Sequence, residues 1–337
     1  MATMKAWQYT TAAGGLEKNL YLPAAAPKPP STLSHDQVLV EVISMSLNPA
    51  DYKIPELGLL AKAMISLPAS PGNDFCGRVS ATGDAVDSLK IGETVFGQLG
   101  GPTKFGTLGQ FIVVNKAACV PLPAGIDPDV GATLGTAGNT AYQSIVPNVK
   151  EGDKIFINGG SGGTGTFGIQ IAKILGCHVT TSCSASNVEL CKSLGADEVL
   201  DYKSVDICKA LKEKGEVFSL VVDNVGSPAG LYRASSAFLL PTGKFLQVGA
   251  EVSWANTSNI MRNFMVPGFL GGGKRKYEFV AAKPKYDDLD HLATWVKQGK
   301  VKPVIDSIFE FDDAPKAIEK LKTGRAKGKI VVHVTEK

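Results

Sequence analysis

The sequence predicts an α/β protein in which a β-rich part accompanies a doubly wound parallel sheet. Three observations predict it. Residues up to 126 carry short strand patterns between Gly and Pro punctuation. From residue 127, strand and helix patterns alternate, as in a parallel sheet wrapped by helices. In the run Lys154 to Gly176, a strand pattern enters a glycine-dense turn and a helical pattern leaves it.

In order, the first strand pattern is Val38 to Val42, then Gly77 to Ala81 and Thr94 to Gly97. Pro23 to Pro30 reads as an exposed connection, and Pro121-Leu122-Pro123 closes the region. Pro128 to Ile145 is a helical stretch rich in Ala and Gly. Strands are expected at Ile155–Asn158, His178–Ser182, Glu198–Leu200, Leu220–Asp223 and Lys244–Gly249. Helices are expected at Thr164–Leu175, Asn187–Leu194 and Val205–Lys214. Residues 250–285 are irregular and contain Gly271-Gly272-Gly273, read as a flexible loop over a site. Then come an amphipathic helix at Leu289–Lys297, an extended stretch at Lys302–Phe311, a helix at Ala314–Lys322 and a final strand at Lys329–Val334.

The turn Gly160-Ser161-Gly162-Gly163-Thr164-Gly165 reads G-x-G-x-x-G. A phosphate approaches backbone N–H groups closely only where side chains are absent, and the positive end of the next helix favours its charge. A turn that only packs helix on sheet would need one or two glycines rather than four. The strand before it and the helix after it are the context a dinucleotide-binding turn requires.

The chain has 337 residues, 44% hydrophobic and 20% charged, the composition of an ordinary globular protein with room for two cores. A net charge of +3 is too small to argue for nucleic acid or membrane binding, so no nucleic-acid partner is expected, and the short cluster Lys274-Arg275-Lys276 reads as a solvated loop. No apolar run reaches membrane-spanning length. Neither the N-terminus nor the C-terminal VTEK carries a targeting pattern, so a cytoplasmic location is the default expectation. The six cysteines form no C-x-x-C pair and the four histidines are scattered, so no metal site is expected.

Several passages carry a resemblance. They are Asn48-Pro49-Ala50-Asp51, Pro71-Gly72-Asn73-Asp74, Gly135-Thr136-Ala137-Gly138-Asn139-Thr140-Ala141 and the glycine turn. With them go Ser193-Leu194-Gly195-Ala196-Asp197, Val222-Asp223-Asn224-Val225-Gly226 and Gly328-Lys329-Ile330-Val331-Val332. Nearly the whole chain, in order, resembles the medium-chain dehydrogenase/reductase superfamily. Within it, the chain is similar to the zinc-free quinone oxidoreductase and enoyl or alkenal reductase branch, in particular to plant chloroplast-envelope quinone-oxidoreductase homologues and fungal relatives. The resemblance implies a GroES-like catalytic domain from residues 1–126 and 283–337. An NADPH-binding Rossmann domain, 127–282, would be inserted into it, with the active site in the cleft. It also makes a homodimer joined at Rossmann sheet edges physically reasonable.

Zinc-dependent members carry a Cys near Asp51 and Gly-His-Glu near Gly72-Asn73-Asp74. Neither the Cys nor the His is present, so metal-assisted alcohol oxidation is disfavoured. An NAD site usually ends its second strand in a carboxylate for the ribose hydroxyls. Here that strand runs on as Ser182-Cys183-Ser184-Ala185-Ser186-Asn187, with no carboxylate before Glu189. Small polar side chains at Ser182, Ser184 and Asn187 leave room for a 2′-phosphate and favour NADPH, the alternative being an NAD site with a relaxed ribose pocket. Related NADPH enzymes often put Lys or Arg where Asn187 stands. By resemblance, Tyr202 packs near the adenosine phosphate, and Asn48 and Thr140 border the nicotinamide. Val225 and Val248 line its pocket with backbone contacts, and Asn224 and Gly249 are expected among the cofactor-binding residues.

The chemistry the resemblance implies is hydride transfer to the C=C of an α,β-unsaturated carbonyl compound, an enoyl group, or a quinone. Tyr52 or Lys53 then meets the developing enolate. The alternative is that Tyr52 packs in the hinge, that Lys53 faces solvent or pairs with Asp74, and that water supplies the proton. Phe264, Met265, Phe269 and Phe279 are read either as a hydrophobic lid or as surface packing. Two further readings stay open. One is a trans-acting enoyl reductase of secondary metabolism, and the other an NADPH-binding member without turnover.

Overall fold

A computed structural model of the chain describes residues 2–249 and 273–336. The chain divides into two compact units. The first comprises Met1–Asn139, Lys283–Gly299 and Pro303–Lys337, and the second Thr140–Ala282 with Lys300–Lys302. Residues 127–139, assigned from sequence to the dinucleotide-binding part, cluster with the first unit. Residues 300–302 join the second because the Gln170 amide clasps them. Its Nε2 donates to Lys302 O (3.1 Å) and its Oε1 accepts from Lys302 N (2.7 Å).

The first unit begins with a short antiparallel pair, β1 (Thr3–Met4) and β2 (Ala26–Pro27). Its main strands are β3 (Gln37–Leu47), β4 (Asp74–Thr82), β5 (Thr94–Gln98), β6 (Phe111–Asn115) and β7 (Cys119–Pro121). β3 is longer than its apolar pattern suggested because it is a hub, pairing antiparallel with both β4 and β6. Nine of its eleven residues are buried, so polar Ser44 and Ser46 lie inside and need partners.

Among its described residues the second unit holds six parallel strands. They are β8 (Lys154–Asn158), β9 (His178–Cys183), β10 (Glu198–Asp201), β11 (Phe218–Asp223), β12 (Leu239–Gln247) and β13 (Lys276–Phe279). Their order is β10-β9-β8-β11-β12-β13. The chain winds outward from β8 in one direction, then returns to β8's other side and winds the other way. That reversal places a topological switch point between β8 and β11. β13 falls in a stretch the sequence read as irregular. It is a short edge strand, Lys-Tyr-Glu-Phe, without a buried alternating face. Phe264, Met265, Phe269, Gly271 and Gly272 lie outside the described residues, and Phe279 is half exposed at the end of β13.

The last strands, β14 (Ile305–Phe309) and β15 (Lys329–His333), return to the first unit, where β15 pairs antiparallel with β3. The sheet order there is β14-β15-β3-β4-β5-β7. The parallel Rossmann-type sheet is thus inserted into a chain whose two ends share one β-rich core. That core gathers Val38, Val40, Phe75, Leu108, Ile112, Ile330 and Val332.

The expected helix Pro128–Ile145 is broken. An α-helical Pro128–Thr133 passes into a π-turn, Leu134–Gly138, before α-helix resumes at Asn139–Ile145. The cause lies in β3 and β4. Asp74 Oδ1 accepts from Thr136 N (2.8 Å), and Ser46 Oγ donates to Ala132 O (2.8 Å). These are the two backbone groups that a regular α-helix would join to each other. Elsewhere the helix expected from Val205 starts at Ile207, where Asp206 caps Lys209 N (3.0 Å). All six cysteines are free thiols, five of them buried. Among the described residues no helix is long and apolar enough to cross a membrane.

Candidate active site

Apart from Thr140, the expected cofactor residues of the second unit fall at the C-terminal ends of its parallel strands, the edge where open α/β sheets bind ligands. The glycine turn follows β8, Ser182 to Asn187 end and follow β9, Tyr202 follows β10, Asn224 and Val225 follow β11, and Val248 and Gly249 follow β12. Asn158 closing β8 and Asp223 closing β11 flank the switch point, with Asn158 Nδ2 donating to Asp223 Oδ1 at 2.8 Å. The same carboxylate oxygen accepts from Val225 N (3.0 Å) and Gly226 N (2.9 Å), which fixes the loop after β11.

The glycines of the turn have different tasks. A Cβ on Gly160 would come 2.1 Å from Thr181 Oγ1, and one on Gly165 would come 2.2 Å from Gly159 O. Both are packing positions that bring turn and helix onto the sheet. Gly162 differs, because its Cβ would meet nothing nearer than Gly159 O at 3.6 Å. Gly162 is also the N-cap of the twelve-residue helix Gly163–Ile174, with no side chain capping it. The first N–H groups of that helix, at Gly163 and Thr164, therefore belong to an end kept clear of side chains.

Ser182 has a different role from the expected one. Its side chain is buried, its hydroxyl accepts from Gly159 N (3.0 Å) and donates to Asn158 Oδ1 (2.5 Å), and its carbonyl accepts from Gly160 N (2.9 Å). Ser182 thus anchors the turn. Asn187 reaches back to the turn too, with Nδ2 donating to Ser161 Oγ at 2.9 Å. Ser184 lies half-buried within 3.2 Å of Ser186 Oγ, and Tyr202 is exposed. Val248 N and Gly249 N both donate to Asp223 O, at 2.9 and 3.2 Å. Both side-chain polar atoms of Asn224 are buried and lack a hydrogen-bond partner among the described residues. An unsatisfied buried amide at a ligand-binding edge is a group held for something else. The open Gly162, the uncapped helix end and this amide fit a dinucleotide.

The first unit contributes a second cluster. Asn48 is the N-cap of the short helix Pro49–Lys53, and its N–H donates to Asp51 Oδ2 (2.7 Å). The Asn48 side chain donates from Nδ2 to Asp74 Oδ2 (2.9 Å) and accepts at Oδ1 from Lys329 Nζ (2.6 Å). Lys329 Nζ also donates to Leu47 O (2.9 Å) and lies 3.3 Å from Asp74 Oδ2. Ser46 Oγ and Thr136 complete the shell of Asp74, and Asn73 Nδ2 donates to Thr136 Oγ1 (2.7 Å). Lys329 and Asp74 are buried, at 2% and 0% exposure. Burial, then the nearby Asp74 charge, pushes the Asp51 carboxyl up to about 7.

Sequence reasoning named Asn48 but missed the roles of Lys329, Ser46 and Thr136, and used Asp74 only in the missing metal-ligand motif and as an alternative partner for Lys53. A signal was available. Lys329 opens a strand that continues with the buried apolar run Ile330, Val331 and Val332, and a lysine leading such a run needs a buried partner. Thr140 is buried on the helix Asn139–Ile145. Tyr52 is half-buried against the core, with Lys322 Nζ 5.4 Å from its ring centre. Lys53 is half-buried beside it. Among the described residues no group of three His, Cys, Asp or Glu converges as a metal set.

Comparison with known proteins agrees with this arrangement. Residues 34–124 match the family model described as alcohol dehydrogenase GroES-like domain, and 194–332 the one described as zinc-binding dehydrogenase. Trans-enoyl reductase pgmF of Aspergillus terreus is 48% identical over 99% of this chain and 97% of its own. The chloroplast envelope quinone oxidoreductase homolog of Arabidopsis thaliana is 31% identical over 98% of each chain. The chain belongs to the medium-chain dehydrogenase/reductase superfamily. The quinone oxidoreductase structure from Coxiella burnetii superposes with a TM-score of 0.85 at 29% identity, covering 99% of this chain and 100% of that one. Within the superfamily the chain lies in the zinc-free branch. It is accordingly an oxidoreductase with a nicotinamide cofactor, whose dinucleotide fold is the six-stranded sheet described above.

Proposed function

We propose that the protein is an NADPH-dependent, zinc-independent reductase of the C=C bond of α,β-unsaturated carbonyl compounds, with quinones as alternative acceptors. The observation that carries this reading is the occupant of the place where zinc-dependent members keep their ligands. Asp51, Asn73 and Asp74 stand there, and Asp74 is committed to Lys329, Asn48, Ser46 and Thr136. A donor set of carboxylate and amide already saturated by lysine and hydroxyl groups suits an acceptor activated by its own conjugation. The similarity to a trans-enoyl reductase and a quinone oxidoreductase homolog supports the same acceptors.

The glycine turn and the start of helix Gly163–Ile174 would hold the pyrophosphate, and Ser184, Asn187 and Tyr202 the adenosine end. The absence of a carboxylate from Ser182 to Val188 supports NADPH over NADH. Asn48, Thr140, Asn224, Val225, Val248 and Gly249 would receive the nicotinamide end. When bound, the reduced nicotinamide supplies a hydride to the acceptor's β-carbon, leaving negative charge on its carbonyl oxygen. The chain's task is to meet that charge with a donor and to bring a proton to the α-carbon. Tyr52 or Lys53, on the helix that Asn48 caps, supplies it.

The test is loss of reduced-nicotinamide absorbance with purified protein in EDTA, over a panel of enones, enals and quinones, with NADPH and then NADH. NADPH oxidation with a saturated carbonyl product supports the reading. A requirement for added zinc, or turnover with NADH alone, defeats it. The 48% identity to a trans-enoyl reductase over almost its whole length favours one narrower version, in which the acceptor is an enoyl group carried on a biosynthetic partner. Slow turnover of free enones beside fast turnover of an acyl thioester would distinguish it.

A further inference from the structure

The Asn48 amide has only one chemically consistent orientation. Lysine donates and never accepts, so the atom 2.6 Å from Lys329 Nζ is the amide oxygen. Asp74 Oδ2 then faces the amide nitrogen at 2.9 Å. Lys329 is held in turn by Leu47 O and Asp74, and Asp74 by Thr136 N, Thr136 Oγ1 and Ser46 Oγ. Every one of these groups lies on β3, β4, β15 or the π-turn. A side-chain amide at 5% exposure, gripped at both ends by a buried ion pair, is far more constrained than an N-cap asparagine requires.

We propose that Lys329 is a positioning residue for the reductase, holding the Asn48 amide in a single orientation for the nicotinamide end of the cofactor. The inference rests on the reductase reading above and adds a residue to it. It also explains why a buried ion pair is present at all, since such a pair contributes little net stability compared with apolar packing. What it provides is directional fixing of a polar neighbour. An asparagine free to rotate would present its donor and acceptor interchangeably, and orientation of reacting groups is a large part of catalysis.

The test uses the full chain with Lys329→Met, Lys329→Arg, Asn48→Ala and the Lys329→Met/Asn48→Ala pair. Hydrogen exchange of the Asn48 side-chain amide is followed by NMR without cofactor, and kcat and KM are measured with NADPH and cyclohexenone. In Lys329→Met, amide exchange should accelerate and kcat should fall about tenfold or more, with KM for the enone changed much less. Lys329→Arg should recover part of both. In the Asn48→Ala background, Lys329→Met should cost nothing further. Unchanged Asn48 exchange, or losses that multiply in the pair, would overturn the proposal. Should Lys329→Met alone not fold, Lys329→Met/Asp74→Asn leaves no lone buried charge and is read by the same criteria. A wild type that binds NADPH but reduces no acceptor defeats the reductase reading, and the exchange measurement then decides the positioning of Asn48.

Discussion

Gly160 packs so tightly on Thr181 that a Cβ would sit 2.1 Å from its Oγ1, while two residues on a Cβ on Gly162 would make only an ordinary contact, with Gly159 O at 3.6 Å. Thr181 has no freedom to yield, being fully buried with Oγ1 donating to Ile157 O at 2.7 Å. Gly160→Ala should therefore destabilise the protein by roughly 1–3 kcal/mol, the usual cost of overpacking. Gly162→Ala should leave the melting temperature near that of wild type, since its φ of −81° suits alanine. It should nevertheless weaken NADPH binding about tenfold, or roughly 1.4 kcal/mol. Thermal denaturation and nicotinamide fluorescence titration measure the two effects. A Gly162→Ala protein that binds NADPH normally would remove the turn from the cofactor site.

Lys322 bears on Tyr52 from the C-terminal helix Ala314–Lys322. Its ammonium pairs with Glu17 and Glu56, each at 2.8 Å, and lies over the Tyr52 ring. The ring is thus part of the packing, and only its hydroxyl is in question as a donor. Tyr52→Phe keeps the ring and should change stability by less than about 1 kcal/mol. If Tyr52 or Lys53 protonates the product, Tyr52→Phe or Lys53→Met should lower kcat by about a hundredfold or more. Full turnover in both variants would hand the proton transfer to water.

The fold was legible because its signals were local. The strand–glycine–helix passage at Lys154–Gly176 and the alternation after it are periodicities of neighbouring residues. What escaped was set by distant partners. The π-turn at Leu134–Gly138 exists because Ser46 and Asp74 take up groups of a helix that alone reads as regular. Ser182 looked like a ligand contact from its position after β9. Whether its hydroxyl faced ligand or turn depended on Asn158, 24 residues earlier. Lys329 and Asn48 are 281 residues apart, and a single sequence gives no indication that they meet.

Ser184 lies just past the end of β9, where NAD sites usually place a carboxylate. Ser184→Asp should bring a negative charge towards the adenosine ribose and repel a 2′-phosphate. The ratio of kcat/KM for NADPH to that for NADH should fall at least about tenfold, mostly through loss with NADPH. The effect should weaken at high salt if the charge is solvent-exposed. An unchanged ratio would place the adenosine ribose elsewhere and remove the basis for the NADPH preference.

Asp51 gives the site a stability dependence whose sign is fixed. Its carboxyl titrates near 7 in the folded chain, against about 3.9 when unfolded. Between those values the folded protein holds a proton that the unfolded chain has lost, so stability falls as pH rises. The contribution is fully present below about pH 4 and is lost as pH rises through about 7. Asp51→Asn should remove that slope, because asparagine stays neutral and keeps an oxygen for Asn48 N. Denaturant unfolding of both proteins at pH 5 and pH 8 measures it. The variant's advantage over wild type should be greater at pH 8 than at pH 5. The same difference at both pH values would mean that Asp51 is already ionised at pH 5, and that Lys329 offsets the charge of Asp74 and Asp51 together.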